Sequence, residues 1–316
     1  MKRRNNFSNS EKKMSMKLLD AHHHLWDLEA LDYVWLKQLG VPKPFGDPTP
    51  IQRDYLTQHF QNDVSEAVDV ELVGSVHIQV DGALPDPVTE TSWLSRLSPS
   101  GIPSAIIGFV DLTREDAEAV LNNHLSFPEF RGVRQIIGMI EQRPDISFTK
   151  EHLLRNPRWQ ENFALLEKHQ LSFDIQLYPE QMKESAEFLG GFPEVPVVID
   201  HAGSPYEQTD SGLKLWREGL SSLAKLPNIC IKLSGFGMYD RNWSSKSSLV
   251  LFETILELFG PKRIMWGSNF PVDRLMKPYN FCVEQLLQWI SPLPLEDQRL
   301  IASETAKKFY RIGERL

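Results

Sequence analysis

The chain has 316 residues, 41% of them hydrophobic and 24% charged, with a formal net charge of -8. That length can bury one barrel-sized core or two smaller ones, and the acidic balance excludes nucleic acid as the main partner, because phosphate binding needs clustered positive charge. No apolar run reaches membrane-spanning length, and Cys230 and Cys282 are the only cysteines, so a free buried thiol in a reducing compartment and a soluble, cytoplasmic chain are expected.

Residues 1–16 carry Lys2, Arg3, Arg4, Lys12 and Lys13 among Asn and Ser. This stretch lacks the apolar segment of a secretory signal and reads as a disordered basic tail. One folded domain is expected over 17–316. Short apolar runs predict strands over 17–22, 72–79, 104–110, 132–137, 172–177, 196–201, 229–234 and 263–267. Helical patterns fall between them, for example over 54–67, 115–125, 159–169, 180–189, 212–224 and 249–259. Eight strands alternating with helices predict the α/β class, with a parallel sheet closed into a (β/α)8 TIM-type barrel.

Such a barrel places its chemistry at the C-terminal ends of its strands. The first strand runs into Asp20-Ala21-His22-His23-His24, where His22 and His24 sit two apart and so on one side. Two imidazoles there suit a metal ion, or proton transfer to a polar substrate. A solvated, tag-like cluster is the bland alternative, disfavoured by the apolar residues before it and by Leu25-Trp26 after it. Strand two carries His77 and Gln79, strand four Arg134 and Gln135, and strand five Asp174 and Gln176. Strand six ends in Asp200-His201-Ala202-Gly203, strand seven supplies Lys232 and Ser234, and strand eight leads into Gly267-Ser268-Asn269-Phe270-Pro271. The stretches 26–35 and 40–50 form a long loop over the mouth. Trp26, Tyr33 and Trp35 either offer flat faces to a sugar ring or staple that loop to the barrel. Tyr206, Tyr239, Arg241 and Trp243, in the loops after strands six and seven, face the same mouth and suit a polar, anionic small molecule.

The motifs Asp20 to Asp27 (DAHHHLWD), Gly132-Val133-Arg134-Gln135, Val198 to Gly203 (VIDHAG), Lys232-Leu233-Ser234-Gly235 and Trp266 to Pro271 (WGSNFP) occur in an order that resembles the amidohydrolase superfamily. More narrowly, the chain is similar to the amidohydrolase 2 branch of sugar-acid and muconolactone-type lactonases. The resemblance implies a distorted (β/α)8 barrel and hydrolysis at a carbonyl, by water that a metal or a side chain activates. It makes His22 and His24 the strand-one pair and His201 the strand-six histidine. Catalytic candidates are therefore His22, His24, His201 and Asn269. Candidates for substrate contact are Trp26, His77, Gln79, Arg134, Gln176 and Lys232. Arg134 can grip a planar acid with two parallel bonds, or serve as an ion pair inside the barrel. Lys232 on a barrel strand requires a partner carboxylate or a substrate.

One departure stands out. The family's strand-eight position is usually an Asp that acts as metal ligand and general base, and here it is Asn269. An amide accepts no proton at neutral pH, although its oxygen can bind a water, a hydroxyl or, weakly, a metal. Asp20, facing the same way but deeper, and Asp273, in the loop, are not obvious replacements. Two mechanisms follow. Either one divalent ion, zinc first, sits on His22, His24 and His201 and acidifies its water, or no cofactor is required and a histidine near its ordinary pKa of about 6.5 takes the proton. The missing carboxylate tilts the expectation to the second. The expected activity is opening of a small carboxylated or sugar-acid lactone. The alternatives are a lactone isomerase, a metal-dependent decarboxylase and, last, a binding barrel without catalysis. Self-association into a homo-oligomer is left open.

Overall fold

Eight parallel strands lie side by side in chain order in a computed structural model that describes residues 15–314. They are β1 (Met16–His23), β2 (Val70–Ile78), β3 (Ala105–Gly108), β4 (Phe130–Ile136), β5 (Ser172–Gln176), β6 (Val197–Ile199), β7 (Ile229–Leu233) and β8 (Ile264–Trp266). Each predicted strand is present, with its ends within two residues of the expectation. Of the expected tail, residues 1–14 lie outside the described residues, and Met16 already belongs to β1.

A helix follows every strand: α1 (Thr57–Ser65), α2 (Val88–Leu97), α3 (Ala117–His124), α4 (Pro157–Lys168), α5 (Met182–Leu189), α6 (Asp210–Ala224), α7 (Ser245–Phe259) and α8 (Tyr279–Ile290). The sequence marks several of their starts. Asn156 caps α4 by accepting from Arg158 N at 3.0 Å and Trp159 N at 3.1 Å, with Pro157 in the first turn. Thr209 and Ser244 cap α6 and α7 in the same way, and losing such a cap costs about 1 kcal/mol. Along α6, Trp216, Leu220 and Leu223 recur at helical spacing and form its buried face.

The strands are buried on both sides, which is why they read as nearly continuous apolar runs. Leu18, Ile106, Val133, Phe173, Ile175, Val197, Ile231 and Ile264 pack outward against the helices. Leu19, Ala21, Val76, Ile78, Ala105, Ile107, Val198, Cys230 and Met265 fill the interior. The N-terminal ends of the strands are closed by the last residues of the chain. Ala306 and Tyr310 join the interior cluster, while Arg311 bonds the carbonyls of Gln170 (2.7 Å) and Arg131 (3.3 Å), just before β5 and inside β4.

The seam between β8 and β1 is spanned at the other end. Asn269 N donates to His22 O and His24 N to Phe270 O, each at 2.7 Å. The ring is therefore completed by the first and last sequence motifs, which brings them together. Cys230 and Cys282 are both free and buried. Among the described residues no helix is long and apolar enough to cross a membrane.

Candidate active site

Three imidazoles converge where β1 and β6 end. The ring centroids of His22 and His24 lie 5.2 Å apart and those of His22 and His201 4.6 Å apart, while His23 turns away and stacks on Phe60 at 4.2 Å. Leu19 and Ala21 are interior residues, so strict alternation would turn His22 outward. A register irregularity between Asp20 and His23 reverses it. The expectation that Asp20 faces the same way is therefore corrected. Its Oδ1 accepts from His22 N (3.1 Å) and Ser268 N (2.9 Å), and its Oδ2 from Tyr279 on α8 (3.2 Å). Burial pushes this carboxyl up to about 6.

Two glycines make room for the rings. A Cβ on Gly267 would lie 2.5 Å from the His22 Cβ, and one on Gly235 2.4 Å from His201 Nδ1. His201 (φ 52°) and Asn269 (φ 56°) both hold left-handed backbone. That conformation costs a non-glycine residue about 1–3 kcal/mol and collects at functional sites.

Each imidazole has one nitrogen engaged by the protein. His24 Nδ1 donates to Ile78 O at 2.7 Å, which leaves the lone pair on Nε2. His201 Nδ1 lies 3.1 Å from Ser234 Oγ. His22 Nδ1 lies 3.2 Å from Lys232 Nζ and 3.3 Å from Asp200 Oδ1, and its buried Nε2 has no partner. Beneath the rings is a buried charged layer. Lys232 Nζ contacts Asp174 Oδ2 at 2.5 Å and Asp200 Oδ1 at 3.0 Å, and Arg134 Nε contacts Asp200 Oδ2 at 3.1 Å. Arg134 also donates to Gln176 Oε1 and, at 3.4 Å, to Gln79 O.

This layer sets the protonation states. Burial, reinforced by the Lys232 and Arg134 cations, holds His22 and His24 well below the usual histidine range. Burial carries His201 down to about 3, against the opposing pull of Asp200. Burial alone would raise Asp200, but Lys232 and His22 hold it well below the usual carboxylate range. All three imidazoles are therefore neutral near pH 7. Burial thus works against the expected base, a histidine near its ordinary pKa. Neutral imidazoles with one nitrogen engaged and one free match what a metal ion requires of its ligands. His22, Asp200 and His201 each bring a ligand atom within 4.8 Å of one another. In this grouping Asp200 stands where His24 was expected.

The rings open onto a cleft of about 720 Å3, lined at its floor by His24, Gln79, Arg134, Gln176, His201 and Asn269. His22 and Lys232 lie beneath that floor. Trp26 and His77 do not line it. Trp26 is fully buried and donates to Arg53 O at 2.6 Å, and His77 Nδ1 accepts from Leu25 N at 3.1 Å, with Glu90 3.7 Å from its other nitrogen. Tyr33 is likewise buried on Glu90 (2.9 Å), so of the three loop aromatics only Trp35 reaches the cleft. Tyr206 bonds Glu180 (2.5 Å), Tyr239 bonds Ser204 (2.9 Å), Arg241 bonds Phe45 O (3.1 Å), and Trp243 packs between Phe236 and Phe281.

Asn269 donates through Nδ2 to Asp273 Oδ1 at 2.8 Å. Asp273 sits in a short helical turn (Val272–Leu275), wholly buried, and burial pushes it up to about 7. Sequence reasoning put Asp174 and Asp200 at the mouth and weighed Asp273 as a base, but made none of them a site candidate. The first two had a readable signal: each precedes or follows apolar strand residues, and Lys232 required a carboxylate. Asp273 had none, because only the fold turns it back onto Asn269.

The family model described as amidohydrolase matches residues 19–312. The chain is 33% identical to the protein y4mH of Sinorhizobium fredii over 93% of its own length and 98% of that protein's. It is 26% identical to an L-fucono-1,5-lactonase of Burkholderia multivorans, over 94% and 96% of the two chains. Its fold matches the crystal structure of a Burkholderia multivorans amidohydrolase with bound zinc at a TM-score of 0.77, with 23% identity over 93% of this chain and 99% of that one. The chain belongs to the amidohydrolase family.

Proposed function

We propose that the protein hydrolyses a small polar lactone of the sugar-acid type, with one divalent ion, zinc by preference, held by His22 and His201 with Asp200 or His24 as the third ligand. The observation that carries this reading is the convergence of three neutral imidazoles, one of them with a buried Nε2 that nothing else satisfies. An unpartnered buried nitrogen costs about 1–3 kcal/mol, which an ion would recover. The likeness to an L-fucono-1,5-lactonase supports the substrate class, and the zinc in the structurally similar amidohydrolase supports the metal.

An ion at this position supplies Lewis-acid polarisation of the carbonyl and a water acidic enough to attack near pH 7, which lessens the need for the strand-eight carboxylate. The side chains do the rest. Asn269 gives its nitrogen to Asp273, so its oxygen is free to accept from a water or a substrate hydroxyl. Arg134 has Nε on Asp200 and one terminal nitrogen on Gln176. Its remaining N–H groups and fixed charge serve a substrate oxygen in the cleft. Asp200 and Lys232 hold His22 in place. One water is added across one C–O bond: its oxygen ends on the carbonyl carbon, and the ring oxygen leaves as a hydroxyl. The carboxylic acid formed then ionises and releases a proton.

That proton is the readout. Aldono-, urono- and muconolactones should acidify an indicator with the purified protein. Activity should vanish after chelation and dialysis and return with stoichiometric zinc. Hydrolysis by demonstrably metal-free protein would refute the metal site. An absence of acid from every lactone would refute the hydrolase reading, and isomer formation without acid would put acyl migration in its place.

A further inference from the structure

The cleft is larger than a sugar lactone needs. A six-carbon lactone has about eleven non-hydrogen atoms, and even at the roughly 30 Å3 that a water molecule takes in the liquid it fills about 330 Å3. The cleft measures about 720 Å3. Its lining is also of two chemical kinds. At the histidine end hydrogen-bonding capacity is unused: Gln79 Oε1 and His22 Nε2 are buried without partners.

Four half-buried rings, Trp35, Phe45, Phe109 and Phe148, also line the cleft. They come from separate loops yet are held in place. Trp35 donates Nε1 to Val80 O at 3.1 Å and meets Phe45 edge-on at 6.0 Å, while Phe148 stacks on Tyr178 at 6.4 Å. Three of the polar side chains in the lining are engaged with the protein itself. Asp111 accepts from Thr113 (2.7 Å), Gln135 accepts from Trp159 (2.7 Å), and Ser147 donates to Arg143 O (2.9 Å). Rings whose free faces border water on one side are a standing cost that an apolar ligand would relieve.

We infer that the cleft carries an apolar subsite beside the reacting end, and that the sugar-acid-type lactone opened there carries an aryl-sized hydrophobic group. This rests on the lactone hydrolase reading for the chemistry, but the subsite stands on shape and lining. A flat apolar ring finds four faces.

The test compares γ-butyrolactone, γ-phenyl-γ-butyrolactone and L-fucono-1,5-lactone on the zinc-loaded full chain. It also measures calorimetric binding of the two ring-opened acids, 4-hydroxybutyrate and 4-hydroxy-4-phenylbutyrate. The phenyl lactone should exceed the unsubstituted one in kcat/KM by at least about tenfold, the discrimination that small changes in apolar contact provide, and mainly through KM. Phe109→Leu and Phe148→Leu, which keep the wall apolar and nearly filled, should each shrink that ratio rather than lower both rates alike. If no lactone is opened but the phenyl acid still binds about tenfold more tightly, the hydrolase reading fails and the subsite stands. Equal kcat/KM for the matched lactones together with equal binding of the two acids would overturn the subsite, as would an unchanged ratio in both variants.

Discussion

Asp273 shows how one buried side chain can shape a site it does not enter. Its carboxyl receives the Asn269 Nδ2 at 2.8 Å and so decides which end of that amide is left for the cleft. The same burial has a thermodynamic consequence, since it pushes the group from 3.8 up to about 7. Below about pH 4 the carboxyl is protonated in both the folded and unfolded chain. Between there and about pH 7 the unfolded chain releases the proton while the folded one keeps it, so stability falls as pH rises. Above about 7 both forms are ionised and the penalty is constant. Asp273→Asn keeps an acceptor for Asn269 and removes the charge. Its melting temperature relative to the natural protein should therefore climb from pH 4 to 7 and then level off. Calorimetric melts at pH 5, 6 and 8 would show this, and a difference that does not change with pH would rule it out.

Strands β5 and β7 and the residue just after β6 contribute the buried charged layer, Asp174, Lys232 and Asp200. Replacing Lys232 by Met leaves two carboxylates in a dry interior with Arg134 as the remaining cation beside them. Removal of one partner of such a buried pair costs about 3–5 kcal/mol. Urea unfolding should report a loss of that order for Lys232→Met, and the double change with Asp174→Asn should recover part of it; no recovery would mean that the lysine acts by packing alone. The need for a carboxylate was legible in the sequence, because a lysine in an apolar strand demands one. Which carboxylate was not legible, since Asp174 and Asp200 meet Lys232 only after three strands have paired. The strands themselves were readable because burial on both faces leaves an unbroken apolar signal. The facing of His22 and Asp20 was not, because it depends on a register irregularity between β1 and β2 that no local pattern announces. His77 and Trp26 look like mouth residues by position. Their partners, Leu25 N and Arg53 O, are backbone groups of a loop whose path exists only in the folded chain.

The molecule as a whole separates its duties along the barrel axis, with the cleft at one end and a seal at the other. A barrel interior is a packed core rather than a pore, and here its layers run from Tyr310 through Asp174 and Lys232 to His22. Tyr310 is fully buried and its hydroxyl donates to Asp174 Oδ2 at 2.8 Å. Two kinds of support can be told apart at this residue. Tyr310→Phe removes only the bond to a charged acceptor, worth about 1.5–3 kcal/mol. Tyr310→Ala also opens a cavity and should cost about 3–5 kcal/mol, as other large-to-small aromatic changes do. Denaturation midpoints that fall in the order natural chain, Phe, Ala would establish that the C-terminal segment seals the barrel by both packing and charge. If the Phe variant were as unstable as the Ala variant, packing would add little and the hydrogen bond to the charged layer would carry the seal.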